Sequence, residues 1–187
     1  MENLLISACF LGYNVKYNGS NNYKSFVLEL KKKYNLIAIC PEVSSGLSIP
    51  RNPSEILGDK VITSDHKDVT EYFNNGALKA LNKCLKYKCM KALLKESSPS
   101  CGVNMIYDGT FNSRKIDGMG VTAKLLKENG IKLYTENDIE ELLKWHFESV
   151  IFYYRFLIIL KNKYRCDNII IECRVNIFGS IKREILC

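Results

Sequence analysis

Several features that define other protein classes are missing from this sequence of 187 residues. No stretch reaches the roughly 18–20 uninterrupted apolar residues that a membrane-spanning helix needs. The nearest candidate, residues 150–160, carries Arg155 in its middle, so we expect no membrane span. The N-terminus has no basic region before its apolar run, so we expect no secretory signal and a cytoplasmic protein.

Histidine is scarce, and several catalytic motifs are absent. His66 and His146 are too few and too distant in sequence for a hydrolytic histidine centre. There is no Walker motif and no G-x-S-x-G elbow, which argues against P-loop nucleotide hydrolysis and serine hydrolysis. The glycines at 118 and 120 are too close together to count as a dinucleotide fingerprint; their amides could hold an anion, or could simply form a turn.

The composition is that of a globular protein that binds anions more readily than cations. Hydrophobic residues make up 47% of the chain, aromatic residues 11% and charged residues 25%, which excludes a mostly disordered chain. Lysine and arginine number 27 against 20 acidic residues, a net charge of +7. Because the basic residues are scattered, nucleic acid is permitted as a partner but not demanded.

Short apolar runs alternate with longer amphipathic segments. The apolar runs predict strands at residues 4–8, 36–39, 90–94 and 131–134. The amphipathic segments predict helices at residues 25–34, 68–81 and 121–128. This alternation predicts a compact, Rossmann-like α/β domain with a mostly parallel sheet flanked by helices.

The alternation also suggests where the domain ends. We predict one domain over residues 1–147 and a C-terminal extension of unknown role over residues 148–187, where aromatic and β-branched residues become crowded. Such an apolar extension could mediate homo-oligomer formation. Residues 42–59 are rich in Ser, Gly and Pro and predict a long ordered loop, which in compact domains is often functional.

Three of the eight cysteines occupy equivalent places. Cys9, Cys40 and Cys101 each lie at or just beyond the carboxyl end of a predicted parallel strand. Ligands of open α/β sheets bind in the crevice beyond these ends, so the thiols could converge there and bind metal. The alternative is that each is a small buried hydrophobic residue. Soft thiolates suit zinc, copper(I) and iron–sulfur clusters, and three of them leave a coordination position open.

The other cysteines show no such pattern. Cys84 and Cys89 have a spacing that fits no standard metal site, and we expect them to be buried. Cys166, Cys173 and Cys187 lie in the extension with irregular spacing, and we assign them no role.

Polar residues near the three matched cysteines are candidates for chemistry. Glu42 follows Cys40 by two residues and could transfer a proton to or from water; the alternative is a solvent-facing loop residue. Ser98 and Ser100 could orient a substrate or simply cap their turn. Arg51 could bind an anionic ligand, but pairing with Glu55 is the favoured interpretation.

Ordered motifs over about residues 3–145 resemble the thiouracil desulfidase, or desulfurase, family. They are SACFLG at 7–12, CPEV at 40–43, GLSIPRNPSE at 46–55, DVT at 68–70, SPSCG at 98–102 and YDGTF at 107–111. The resemblance implies an α/β domain that carries a 4Fe-4S cluster on three cysteines with one open iron site. By residue-to-motif match, the implied ligands are Cys9, Cys40 and Cys101.

The activity that the resemblance implies is non-redox desulfuration of a thiolated pyrimidine base or nucleotide, converting C=S to C=O with release of sulfide. The same match implies catalytic roles for Glu42 and Ser100. Zinc is the alternative metal. The alternative functions are a cluster- or zinc-binding protein of sulfur trafficking, and a non-catalytic module that binds nucleotides or RNA, with tRNA as one possible partner.

Overall fold

The structure, a computed structural model, describes residues 1–144, and Met1–Leu143 form one compact unit. The strands are β1 (Glu2–Ser7), β2 (Tyr34–Ile39), β3 (Ser54–Leu57), β4 (Lys60–Thr63), β5 (Lys91–Leu93), β6 (Met105–Tyr107), β7 (Lys115–Asp117) and β8 (Lys132–Tyr134). The α-helices are α1 (Phe26–Lys33), α2 (Pro41–Ser44), α3 (Thr70–Tyr87), α4 (Val121–Glu128) and α5 (Ile139–Leu143), and a 3-10 helix spans Ala8–Leu11.

Four parallel strands form the central sheet, in the order β2-β1-β5-β8. β1 is an inner strand, and Leu4 lies opposite Leu36 of β2 and Lys91 of β5. Leu4, Leu5 and Ile6 are completely buried. A continuous apolar run is what a parallel strand covered on both faces requires.

Two hydrophobic cores cover the two faces of this sheet. Successive side chains of a strand point to opposite faces, so Leu5 joins one core and Leu4 and Ile6 the other. The first core contains residues of α3 and α4, and the second contains residues of α1 and α5. This three-layer arrangement confirms the predicted α/β fold with a parallel sheet flanked by helices.

Two antiparallel hairpins were not predicted. β3 pairs with β4, and β6 pairs with β7. The predicted long loop at 42–59 is therefore wrong in part, because it contains most of α2 and all of β3. These strands have only three or four residues, and all three residues of β7 are exposed, so hydrophobic periodicity gives no usable signal for them.

The end of the first predicted helix also differs. Tyr34 belongs to β2 rather than to the helical face, and its buried hydroxyl donates a hydrogen bond to the carbonyl oxygen of Leu142 at 3.0 Å. None of the helices within residues 1–144 is long and apolar enough to cross a membrane. The predicted domain boundary at 147/148 and the C-terminal extension lie outside the described residues and remain predictions.

Candidate active site

The site is a cavity at the carboxyl ends of β1, β2 and β5. From β1 the chain moves to β2 on one side, and it later returns to β5 on the other side. This reversal of strand order opens a crevice beyond the strand ends, which is where open α/β sheets bind ligands. A cavity of about 630 Å³ lies there, and Cys9, Cys40 and Cys101 all line it.

Two of these cysteines follow their strands directly. Cys9 lies in the 3-10 helix after β1, and its carbonyl oxygen accepts the backbone N–H groups of Gly12 at 3.3 Å and Asn22 at 3.0 Å. Cys40 follows β2 and is the N-cap residue of α2. Pro41 occupies the first helical turn, where its missing N–H leaves no hydrogen bond unmade.

Cys101 lies in the loop between β5 and β6, which is closely packed. Its backbone N–H donates to Ser98 Oγ at 3.1 Å, and the N–H of Gly102 donates to the Ser98 carbonyl oxygen at 2.8 Å. A Cβ on Gly120, at the start of α4, would come within 2.5 Å of the Ser100 carbonyl. The loop therefore requires glycine at this point of contact with α4.

A buried carboxylate, that of Glu96, organises the same loop. It accepts backbone hydrogen bonds from Ser97, Val103, Asn104 and Met105, and one from the Asn104 side chain. Burial alone would raise the pKa of this carboxyl, but the hydrogen bonds outweigh burial and lower it. Glu96 is therefore a charged anchor for the segment that carries Cys101.

Burial raises the pKa of all three cavity thiols. For Cys101, hydrogen bonding to Ser7 opposes this effect, while the nearby thiols of Cys40 and Cys9 add to it. The three thiols are thus close enough to interact electrostatically. Forming three thiolates here requires a positive centre that stabilises them, and binding of such a centre would release protons.

The donor set fits an iron–sulfur cluster better than a single ion. Within residues 1–144, no group of three or more His, Cys, Asp or Glu residues is close enough to hold one metal ion. Structural zinc usually takes a closed set of four ligands, whereas the cavity offers three thiols. In a cluster, each thiolate binds a different iron, so the ligands stand further apart. Three soft donors would leave one iron of a 4Fe-4S cluster without a protein ligand.

Glu42 lines the cavity from α2 and is held by Arg51. The guanidinium donates through Nε at 3.1 Å and Nη2 at 2.8 Å, both to Glu42 Oε2. Oε1 has no hydrogen-bond partner within residues 1–144. The predicted pairing of Arg51 with Glu55 is wrong: Glu55 Oε2 accepts the backbone N–H groups of two residues of the β6–β7 loop instead.

The two candidate serines differ in position. Ser100 is completely buried, and its hydroxyl lies 2.9 Å from Thr122 Oγ1, behind the wall of the cavity. Ser98 lines the cavity. Its Oγ accepts the N–H groups of Ser100 and Cys101, which leaves its hydroxyl proton available for a ligand. The catalytic role implied for Ser100 stays a prediction, and this placement gives it no direct access to a substrate.

Aromatic and basic side chains also line the cavity. Tyr107 and Phe111, from the β6–β7 hairpin, line it together with Lys16 and Lys115. Lys95 also lines it, but its ammonium group is paired with Glu136. Neither Lys16 nor Lys115 has an acidic partner in the part of the chain that the structure describes. The cavity is therefore lined by three thiols and also by two ammonium groups that have no acidic partner within residues 1–144.

Comparison with known proteins identifies the family. The family model for 2-thiouracil desulfurase matches residues 4–138. The chain belongs to the 2-thiouracil desulfurase family. It is 38% identical over 150 residues to the uncharacterized protein YbbK of Bacillus subtilis (strain 168), covering 75% of this chain and 99% of YbbK.

A solved structure supports the same family. The chain is similar to the 4Fe-4S-dependent thiouracil desulfidase TudS, with a TM-score of 0.72 and 40% sequence identity, over 76% of this chain and 95% of TudS. The resemblance predicted from the ordered motifs is thereby confirmed.

Some features of this desulfurase-family site could not be predicted from the sequence. Glu96 organises a loop of irregular structure, for which no sequence pattern was available, and Lys16 and Lys115 line one cavity although they are far apart in sequence. Cys84 and Cys89 are buried, as predicted, and do not line the cavity; burial raises the pKa of Cys84 to about 12. Cys166, Cys173, Cys187 and His146 lie outside the described residues.

Proposed function

We propose that this protein removes sulfur from a thiolated pyrimidine, converting C=S to C=O and releasing sulfide, with a 4Fe-4S cluster held by Cys9, Cys40 and Cys101. The observation that carries this proposal is that three thiols from three neighbouring strand ends line one cavity, with no other cysteine of residues 1–144 lining it. TudS, which is 4Fe-4S-dependent by name, has the same fold.

The reaction consumes one water and needs no net electron transfer. When bound, the cluster supplies an iron without a protein ligand, which acts as a Lewis acid toward sulfur. Glu42 Oε1 accepts a proton from the attacking water, whose oxygen forms the new bond to the ring carbon. The departing sulfur leaves as hydrogen sulfide with both protons of the water, or as its conjugate base with one proton while the other is released to solvent.

Arg51 keeps Glu42 available for this step. The side chain of Arg51 is only 9% exposed, and its guanidinium binds one carboxylate oxygen from a fixed direction. The other oxygen of Glu42, a residue that lines the cavity, has no hydrogen-bond partner within residues 1–144. This arrangement orients the carboxylate at little entropic cost, which is what a positioned base requires.

The substrate that we propose is a small thiolated base or its nucleotide. Lys16 and Lys115 support the phosphorylated form, because they supply unpaired positive charge on the cavity wall. The cysteines of the described residues are free thiols, a state typical of a reducing compartment. We therefore place the reaction in the cytoplasm.

Anaerobic purification or reconstitution of the full chain tests this proposal. We expect iron and sulfide near four per chain, and conversion of 2-thiouracil to uracil with one sulfide released per turnover. A protein that binds the cluster but leaves thiolated bases and nucleotides unchanged would overturn desulfuration and favour sulfur trafficking. A folded protein that binds no iron would overturn the cluster itself.

A further inference from the structure

We propose that Phe111 is the surface on which the pyrimidine ring of the substrate stacks, and that buried Glu55 positions it. This inference rests on the proposed function, because a substrate whose sulfur is bound beside the thiols would have its ring inside the same cavity. Phe111 lines that cavity together with Cys9, Cys40 and Cys101.

Phe111 lines the cavity and does not pack in either hydrophobic core. Its side chain is half-buried, and it belongs to neither hydrophobic core of residues 1–144. An aromatic side chain on a loop between short strands gains little from folding when it stays outside the core. Its large apolar face is therefore available to a planar ligand, and aromatic faces stack on any nucleobase.

The backbone at Phe111 supports a positioned side chain. Phe111 has a φ of +59°, a left-handed conformation that is rare for a bulky residue. Residues in such conformations persist only where their surroundings enforce them, and they cluster at ligand-binding sites. A feature of the β6–β7 loop must therefore stabilise this conformation.

Glu55 is that feature. This residue of β3 is 8% exposed, and its Oε2 accepts the backbone N–H groups of Gly109 and Phe111, each at 3.0 Å. Gly109 has a φ of +86°, and a Cβ there would lie 2.9 Å from the Ile56 carbonyl oxygen. One buried carboxylate thus holds two left-handed residues of the loop against β3 and fixes the backbone from which Phe111 lines the cavity.

Tyr17 and Tyr107 are the other aromatic residues that line the cavity; Tyr17 is 44% exposed, and Tyr107 is less suited to stacking. The ammonium group of Lys115 lies 5.6 Å from the centroid of its ring, so one ring face is already occupied by a cation. No such partner covers Phe111 within the described residues. The structure therefore favours Phe111 as the ring-binding side chain.

The test is competitive binding of uracil and 5,6-dihydrouracil to the anaerobic, cluster-loaded full chain. Uracil is planar and lacks the reacting sulfur, whereas dihydrouracil keeps its hydrogen-bonding groups without the aromatic ring. We expect Phe111→Ala to weaken uracil binding roughly 5- to 100-fold, the effect of losing one stacking contact. The preference for uracil over dihydrouracil should be lost, and Phe111→Trp should retain it.

Glu55→Ala should weaken substrate binding, as Phe111→Ala does. It should raise the KM for 2-thiouracil, with kcat and iron content within about twofold of the unmodified chain. Glu55→Gln keeps one acceptor oxygen and should restore part of the affinity. Tyr72→Ala, at an exposed aromatic residue of α3, is the matched control and should change nothing.

The outcomes separate the two proposals. If the unmodified chain releases no sulfide from 2-thiouracil, the proposed function fails, while uracil binding still reports on Phe111. If the chain desulfurates 2-thiouracil but Phe111→Ala binds uracil normally and keeps its preference over dihydrouracil, the stacking proposal is overturned. Should Glu55→Ala fail to fold, Phe111→Ala and Glu55→Gln decide the question.

Discussion

Cys9 and Cys101 are as deeply buried as ordinary core cysteines, so burial does not separate them from Cys84 and Cys89. The difference lies in their neighbours. Cys101 belongs to the first core, as Cys84 and Cys89 do, but it also lines a cavity together with Cys9 and Cys40, whereas Cys84 and Cys89 do not line it. A cluster ligand must line such a cavity, because the cluster needs space and the substrate needs a path to it.

The first prediction concerns these five cysteines. Replacing Cys9, Cys40 or Cys101 by Ala should abolish retention of the cluster, because two thiolates hold it too weakly. Cys84→Ala and Cys89→Ala are the controls and should keep it. Iron and sulfide analysis after anaerobic reconstitution, together with visible absorption, checks this, and equal loss in all five variants would contradict the ligand assignment.

The second prediction concerns Glu42. Glu42→Gln keeps the size of the side chain and a hydrogen bond to Arg51 but removes the proton acceptor. We expect kcat to fall roughly 10²–10⁴-fold, the usual effect of losing a positioned proton-transfer group. Iron content and uracil binding should stay unchanged. Turnover close to that of the unmodified chain would show that Glu42 has only a structural role.

At the scale of elements, the central sheet could be predicted and the two hairpins could not. Runs such as Leu4 to Ile6 are long and apolar enough to define a buried strand, and their ends placed Cys9 and Cys40 correctly beside the crevice. β6 and β7 have three residues each and little burial. Their position depends on Glu55, a contact across more than 50 residues that no local pattern shows.

The third prediction concerns the loop that Glu96 anchors. The pKa of Glu96 is lowered from its ordinary value of 4.5, so the carboxylate stabilises the fold above about that pH, and this stability is lost as the pH falls and the group becomes protonated. We expect Glu96→Gln to reduce the free energy of unfolding of the cluster-free protein by about 1–3 kcal/mol at pH 7.

Chemical denaturation between pH 3 and 7 measures this effect. The difference between the Glu96→Gln variant and the unmodified chain should shrink below about pH 4.5, because protonation of Glu96 in the unmodified chain removes the charge that the variant lacks at every pH. Glu71→Gln, at an exposed residue of α3, is the control and should show a much smaller difference. A difference of the same size at every pH would mean that the charge of Glu96 does not anchor the loop.

At the scale of the whole molecule, the net charge of +7 is less informative than its distribution. Most lysines are scattered over the surface, as the sequence suggests, and several form exposed ion pairs of the kind that contribute little to stability. The sequence could not show that Lys16 and Lys115, about 100 residues apart, line one cavity without acidic partners among residues 1–144. Because these two lysines line the cavity, the preference for anions that the net charge implies applies to the cavity in particular.

The last prediction follows from this local charge. If Lys16 and Lys115 bind a phosphate, the double variant with Ala at both positions should raise the KM for a thiolated uridine monophosphate roughly tenfold, since each ammonium contributes a modest, partly screened attraction. The KM for free 2-thiouracil should stay within about twofold, because that base carries no phosphate. Lys31→Ala, at an exposed residue of α1 away from the cavity, is the matched control.

Raising the ionic strength should increase the nucleotide KM of the unmodified chain and have less effect on the double variant. A nucleotide KM that neither the double substitution nor salt changes would mean that the free base, rather than its phosphorylated form, is the substrate that this cavity recognises.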